Sequence, residues 1–81
     1  MISIRCQTGE TVEVDEQTLR GAKLSGLSLH RALFEGRDLT DTVFADADLR
    51  GALFSGAVLK QARFERAKMM NAALDMANLE G

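Results

Sequence analysis

From Gln17 to Gly81 the chain repeats every five residues, reading QTLRG, AKLSG, LSLHR, ALFEG, RDLTD, TVFAD, ADLRG, ALFSG, AVLKQ, ARFER, AKMMN, AALDM and ANLEG. The third position of each pentad is large and apolar without exception: eight Leu, four Phe and Met69. Every phenylalanine of the protein sits there, as Phe34, Phe44, Phe54 and Phe64. Ala fills the first position in nine of the thirteen pentads, and six of the seven glycines fill the fifth. A period of five is neither 3.6 nor 2, so an amphipathic helix or a plain strand would smear these columns around its surface. Only a backbone that turns a corner every five residues keeps all the third positions inside. The internal repeat therefore comes before any other reading of the fold.

These columns resemble the pentapeptide repeat family, whose consensus is close to A-(D/N)-L-x-x. ADLRG (47–51) and ANLEG (77–81) match it fully, and the resemblance covers 65 of the 81 residues. It implies an all-β, right-handed, four-sided β-helix with four pentads per coil, so thirteen pentads make about three and a quarter coils. In such a solenoid the third residue fills the core, the small first residue also points inward, and the others face water. Coils stack about 4.8 Å apart, as strands do. Residues twenty apart then lie above one another. The expected core ladders are Leu19, Leu39, Leu59 and Leu79; Leu24, Phe44 and Phe64; Leu29, Leu49 and Met69; and Phe34, Phe54 and Leu74. Ala lines the corners because nothing larger fits beside those side chains. Glycine in the fifth position suits a turn with positive φ.

Four first positions break the Ala column: Gln17, Leu27, Arg37 and Thr42. Leu27 and Thr42 are expected to be absorbed near an edge layer. Arg37 is harder to place, since an unpaired buried guanidinium is very costly. It is expected to escape toward Gln17 and the N-terminal end, or to pair with an acid there. From Ala47 onward the column is unbroken, so the C-terminal half should be the more regular.

Residues 1–16 are not repeats. Ile2, Ile4 and Cys6 alternate with polar residues, as do Val12 and Val14, and QTGE between the two runs is a turn signal. The segment reads as a β-hairpin whose apolar face caps the first coil, the device that repeat arrays need at their ends. Residues 17–81 then form the solenoid proper. At the far end no cap is visible: Met69, Leu74 and Leu79 approach an open last layer. An open coil end presents unpaired backbone groups, which template pairing. Either a second copy docks there or the chain is the front of something longer. Family members commonly make dimer contacts at this end, so the resemblance favours self-association.

The composition says little of chemistry. Cys6 is the lone cysteine, which excludes an intrachain disulfide, and no metal-ligand cluster or cofactor motif is present. Cys6 itself reads as a small core residue. His30 is the single histidine, at an outward position with no acid beside it in its own ladder, where its neighbour is Arg50, so no catalytic constellation emerges and an enzyme is not expected. The N-terminus has no long apolar run, so neither a signal peptide nor a membrane span is expected, and the cytoplasm is the default location.

Two outward surfaces stand out. His30, Arg31, Arg50 and Lys68 share one face with only Asp48 opposing, a modest basic patch. Without an exposed aromatic to stack on bases, nucleic acid is not an expected ligand. On the next face Leu33, Leu53 and Ala73 stack at a position where the consensus wants Asp or Asn, with Met76 beside the last. That column is a candidate contact surface for a protein partner the sequence does not name.

The resemblance also brings an alternative, since some family members imitate duplex DNA and protect DNA gyrase with a long, strongly acidic rod. Here residues 17–81 carry nine Lys/Arg against eight Asp/Glu, while residues 1–16 hold one Arg against four acids. A short, near-neutral repeat body disfavours mimicry. A non-catalytic interaction or assembly module is the reading that remains.

Overall fold

A computed structural model of the chain describes residues 2–80. Met1 and Gly81, which open the hairpin segment and close the last pentad, lie outside the described residues. The architecture is strand-only, with an N-terminal hairpin followed by a stack of short bridges that recur every five residues.

The hairpin pairs β1 (Ile2–Arg5) with β2 (Thr11–Val14) in antiparallel register, with Ile2 opposite Val14 and Ile4 opposite Val12. Its turn is closed by the Cys6 N–H donating to the Glu10 carbonyl at 2.9 Å, and Gly9 takes φ 93° within it. Ile4, Cys6 and Val14 are buried, and Ile2 and Val12 pack against the same core. The hairpin also joins the repeats through its backbone. Leu33 N–H donates to the Arg5 carbonyl at 2.8 Å and Gln7 N–H to the Arg31 carbonyl at 2.9 Å, making an antiparallel bridge between Cys6 and Ala32. One column of the stack is thus continued upward by the hairpin.

Below it the repeats pair in parallel, each second position with the residue twenty later: Lys23 with Val43, Ser28 with Asp48, Leu33 with Leu53 and Asp38 with Val58. The same four columns continue to Arg63, Lys68, Ala73 and Asn78. Two hydrogen bonds fix each step. Phe34 N–H donates down to the Leu53 carbonyl at 2.8 Å, and Leu53 N–H donates up to the Ala32 carbonyl at 2.9 Å. Because a buried backbone group without a partner costs as much as a lost hydrogen bond, this regular ladder is what lets so short a chain run through its own core.

Between bridges the chain turns. Ala57 N–H donates to the Phe54 carbonyl at 2.9 Å, and the same bond to the residue three back recurs at the corners. Every described fifth position from Gly21 to Met76 has positive φ, the signature of the third residue of a type II turn. Seven of them are not glycine. Asp41, Asp46 and Asn71 tolerate the left-handed region better than most residues, whereas Arg31, Gln61, Arg66 and Met76 hold it at a cost of about 1–2 kcal/mol each. The solenoid therefore imposes this conformation on whatever residue the sequence supplies.

The third positions Leu19 through Leu59 are all buried, and the first positions Ala22, Ala32, Ala47, Ala52 and Ala57 pack beside them. Two adjoining columns carry the aromatics. Phe34 stacks on Phe54 and Phe44 on Phe64, each pair with ring centroids 5.2 Å apart and planes 9° from parallel. Across the columns Phe44 meets Phe34 and Phe54 edge to face, at 5.6 and 5.9 Å. Aromatic pairs in such geometries add about 0.5–1.5 kcal/mol beyond their burial.

The exceptions in the Ala column resolve individually. Thr42 lies wholly inside rather than near an edge, because its hydroxyl donates to the Leu19 carbonyl at 2.5 Å. Leu27 is half-buried. Arg37 is half-buried and forms no ion pair among the described residues, so the expected acid partner is not found. No buried side-chain nitrogen or oxygen lacks a partner there, so its guanidinium reaches water.

Candidate functional site

The two ends of the stack are built differently. At the upper end Ile4, Cys6 and Val14 of the hairpin are buried in one core cluster with Leu19 and Leu24. At the lower end burial fades: Phe64 and Met69 are only partly covered, Leu74 is 37% exposed and Leu79 56%. Met70 and Met76, both outward, are 71% and 91% exposed. By the twenty-residue rule the N–H groups of Phe64, Met69 and Leu74 would donate to a level below. Among the described residues they have no backbone acceptor, and the carbonyls of Ala62, Ala67 and Ala72 receive no backbone donor. The end is an apolar floor ringed by free hydrogen-bonding groups, an edge in the sense that makes strands aggregate or pair.

The Leu33, Leu53 and Ala73 column lies as the period places it, in register through parallel bridges, but all three side chains are half-buried. They make a partly covered apolar strip along that wall. Glu35, Ser55 and Asp75 run beside it, with Ser55 Oγ donating to Asp75 at 2.8 Å.

On the face with Ser28, Asp48 and Lys68, the cations do not act together. Arg50 donates twice to Asp48, at 2.8 and 2.7 Å, and its own N–H adds a third bond at 3.2 Å. The Arg50 hydrogen bonds, opposed by desolvation and aided by the charges of Arg50 and His30, hold the Asp48 carboxyl at about 2. The stem of Arg31 lies over Gly51, where an added Cβ would come within 3.0 Å of Arg31 Cγ. What remains is His30, Arg31 and Lys68 dispersed around a neutralised pair. Sequence spacing placed Asp48 on this face but could not show that it would take Arg50 as its own.

The sign of that pair's contribution to stability is set by the depressed pKa. The carboxylate contributes above its ordinary value near 3.8 and loses its contribution as pH falls toward about 2. Asp48→Asn should therefore flatten the acid limb of the stability curve between pH 4 and 2 in chemical denaturation. The effect is below about 1 kcal/mol, since water screens the pair. An unchanged acid limb would remove the pair as its cause.

Other cross-level ion pairs decorate the walls, with Arg66 donating to Asp46 at 2.7 and 3.1 Å and Lys60 lying 3.6 Å from Glu80. Arg63 pairs with Glu65 within one pentad. Two shallow surface depressions lie along these walls, one lined by Val43, Ala45, Arg63, Glu65 and Arg66, the other by Thr40, Lys60, Gln61 and Glu80. Burial and the nearby Glu10 carboxylate push the Cys6 thiol up, which disfavours the thiolate. No group of three or more His, Cys, Asp or Glu among the described residues is placed to hold a metal ion. Among the described residues no helix is long and apolar enough to cross a membrane.

A stack of twenty-residue bridges with corners every five residues, each corner at positive φ, defines a repeat protein of β-helix type. The model of the pentapeptide repeat family matches residues 18–56 and 47–81, in eight copies, and the chain belongs to that family. No curated protein and no solved structure matches it.

Proposed function

We propose that this chain is a non-catalytic interaction or assembly module, a right-handed four-sided solenoid of about three and a quarter coils. It works by self-association through its lower end. The observation that carries the reading is the inequality of the two ends. One is covered by a hairpin that buries Ile4, Cys6 and Val14, and the other leaves Leu74 and Leu79 exposed, with a row of backbone donors that have no backbone acceptor among the described residues. The cross-section of that end suits a partner of the same cross-section better than a small ligand. The proposed setting is the cytoplasm, where a lone buried thiol stays reduced.

Sedimentation equilibrium tests the reading directly. The chain is expected to dimerise in the micromolar range, and Leu79→Glu, which sets a charge on the exposed floor, should raise the dissociation constant at least tenfold. A chain that stays monomeric at the highest soluble concentration would sink the proposal.

A further inference from the structure

We infer that the outer edge of the hairpin is a docking site of its own, which takes an extended cationic peptide as a further strand beside β2. One wall of the fold is a single ladder that runs up into the cap. Ala73, Leu53 and Leu33 bridge in parallel, Ala32 bridges Cys6 in antiparallel sense, and β1 pairs with β2. The chain at Arg5 and Cys6 is therefore paired on both sides, whereas β2 is paired on one.

The register fixes which groups are free. Successive residues of an antiparallel strand turn their backbone groups alternately to one side and the other. The Arg5 carbonyl accepts from Leu33 N–H at 2.8 Å, so Arg5 turns away from β2, and Thr11 opposite it turns away from β1. Glu13, opposite Ser3, does the same two residues on. The N–H and C=O groups of Thr11 and Glu13 therefore line the outer edge of β2. No hydrogen bond from elsewhere in the fold reaches them among the described residues. Both residues are exposed, while Val12 between them is half-buried against the core. A strand added there lays alternate side chains beside Val12, extending the apolar face, and the others beside Thr11 and Glu13 in water.

Charge decides the occupant. Glu13 stands on the edge itself, Glu10 directly precedes β2 and Asp15 directly follows it. None of the three has an ion pair among the described residues. A second copy offering the same edge would set acid against acid, which is how natural edge strands avoid pairing with themselves. A peptide that alternates apolar residues with Lys or Arg meets carboxylates instead, and opposite charges on neighbouring strands stabilise the pairing. The main chain then supplies the affinity, and the alternation of apolar and cationic side chains the specificity. The site lies at the capped end and does not depend on self-association through the lower one.

Fluorescence anisotropy with labelled synthetic hexapeptides, one alternating Val with Lys and one alternating Val with Glu, tests this on the whole chain. At low salt the Val–Lys probe is expected to bind in the micromolar range and the Val–Glu probe not to bind. Thr11→Pro removes an outward N–H while leaving the charges and the bonds between β1 and β2 in place, a position where an edge strand tolerates proline. It should weaken the Val–Lys probe tenfold or more. Glu13→Lys, which leaves the backbone untouched, should weaken it about fivefold. Circular dichroism melts keep loss of fold separate from loss of binding, and Glu13→Lys decides the matter if Thr11→Pro does not fold. A folded Thr11→Pro variant that binds as the parent does reduces the contact to charge attraction and overturns the site. Equal binding of the two probes, indifference to Glu13→Lys, or no binding of the Val–Lys probe overturns it as well.

Discussion

Replacing Phe54 by alanine is expected to remove about 3–5 kcal/mol of folding stability, most of what a domain of this size has. Phe54 stacks on Phe34 at 5.2 Å, and it meets Phe44 and Phe64 edge to face at 5.9 and 6.2 Å. It is wholly buried, so its removal leaves a cavity in the middle of both aromatic columns at once. The surrounding backbone is held by bonds of 2.8–2.9 Å above and below and cannot collapse to fill it. Phe64→Ala provides the contrast. Phe64 is only partly buried near the open floor, so the same truncation there should cost less than half as much. Urea denaturation of the two variants checks the ordering. Equal losses would mean that the lower levels are covered in solution, which points to the dimer.

The difference between those two sites could be read in part from sequence. The third-position column announced both residues as core, and the twenty-residue stacking of Phe34 on Phe54 followed from the repeat. Exposure toward the floor followed from counting levels. Other features were not legible, because they depend on how side chains choose among neighbours. Thr42 breaks the Ala column, yet only the structure shows its hydroxyl reaching the Leu19 carbonyl, which removes the cost of burying it. Arg50 looked like part of a basic patch, but Asp48, two residues back, accepts from its Nε and one of its Nη atoms. Spacing gives the column in which a charge sits, whereas pairing depends on rotamers that the column leaves free. The fifth positions show the opposite case, where the fold overrules the residue. Arg31, Gln61, Arg66 and Met76 have no intrinsic preference for positive φ, and they adopt it because the corners on either side are fixed by ladder bonds. The hairpin was legible from its alternation, but its bond to the Leu33 column was not, since nothing in the sequence says which column a cap will continue.

Removing residues 47–51 as a unit is expected to leave a cooperatively folding protein, whereas removing Asp48 alone is not. The pentad deletion takes out one corner and one core residue, Leu49, and every later third position still faces inward. Its cost is the lost burial of Leu49 and Ala47 together with the stacking of Phe34 on Phe54 and of Phe44 on Phe64, because every later residue moves one side round; the sum is about 3–5 kcal/mol, which for a domain this small lowers the melting temperature by about 15–35 °C. The single deletion shifts all later residues by one place relative to the corners. Arg50, Ser55, Lys60, Glu65 and Met70 would then enter the positions of Leu49, Phe54, Leu59, Phe64 and Met69, and the fifth-position residues would leave the turns that accept positive φ. Placing Arg50 and Lys60 where Leu49 and Leu59 are buried costs more than the total stability of the fold. Either the lower levels detach or the whole chain unfolds, and both end the single cooperative transition. Thermal melts followed by circular dichroism distinguish the two deletions. A one-residue deletion that melts as sharply as the pentad deletion would mean that a corner can absorb a missing residue, and that the five-residue frame is looser than its hydrogen bonds imply.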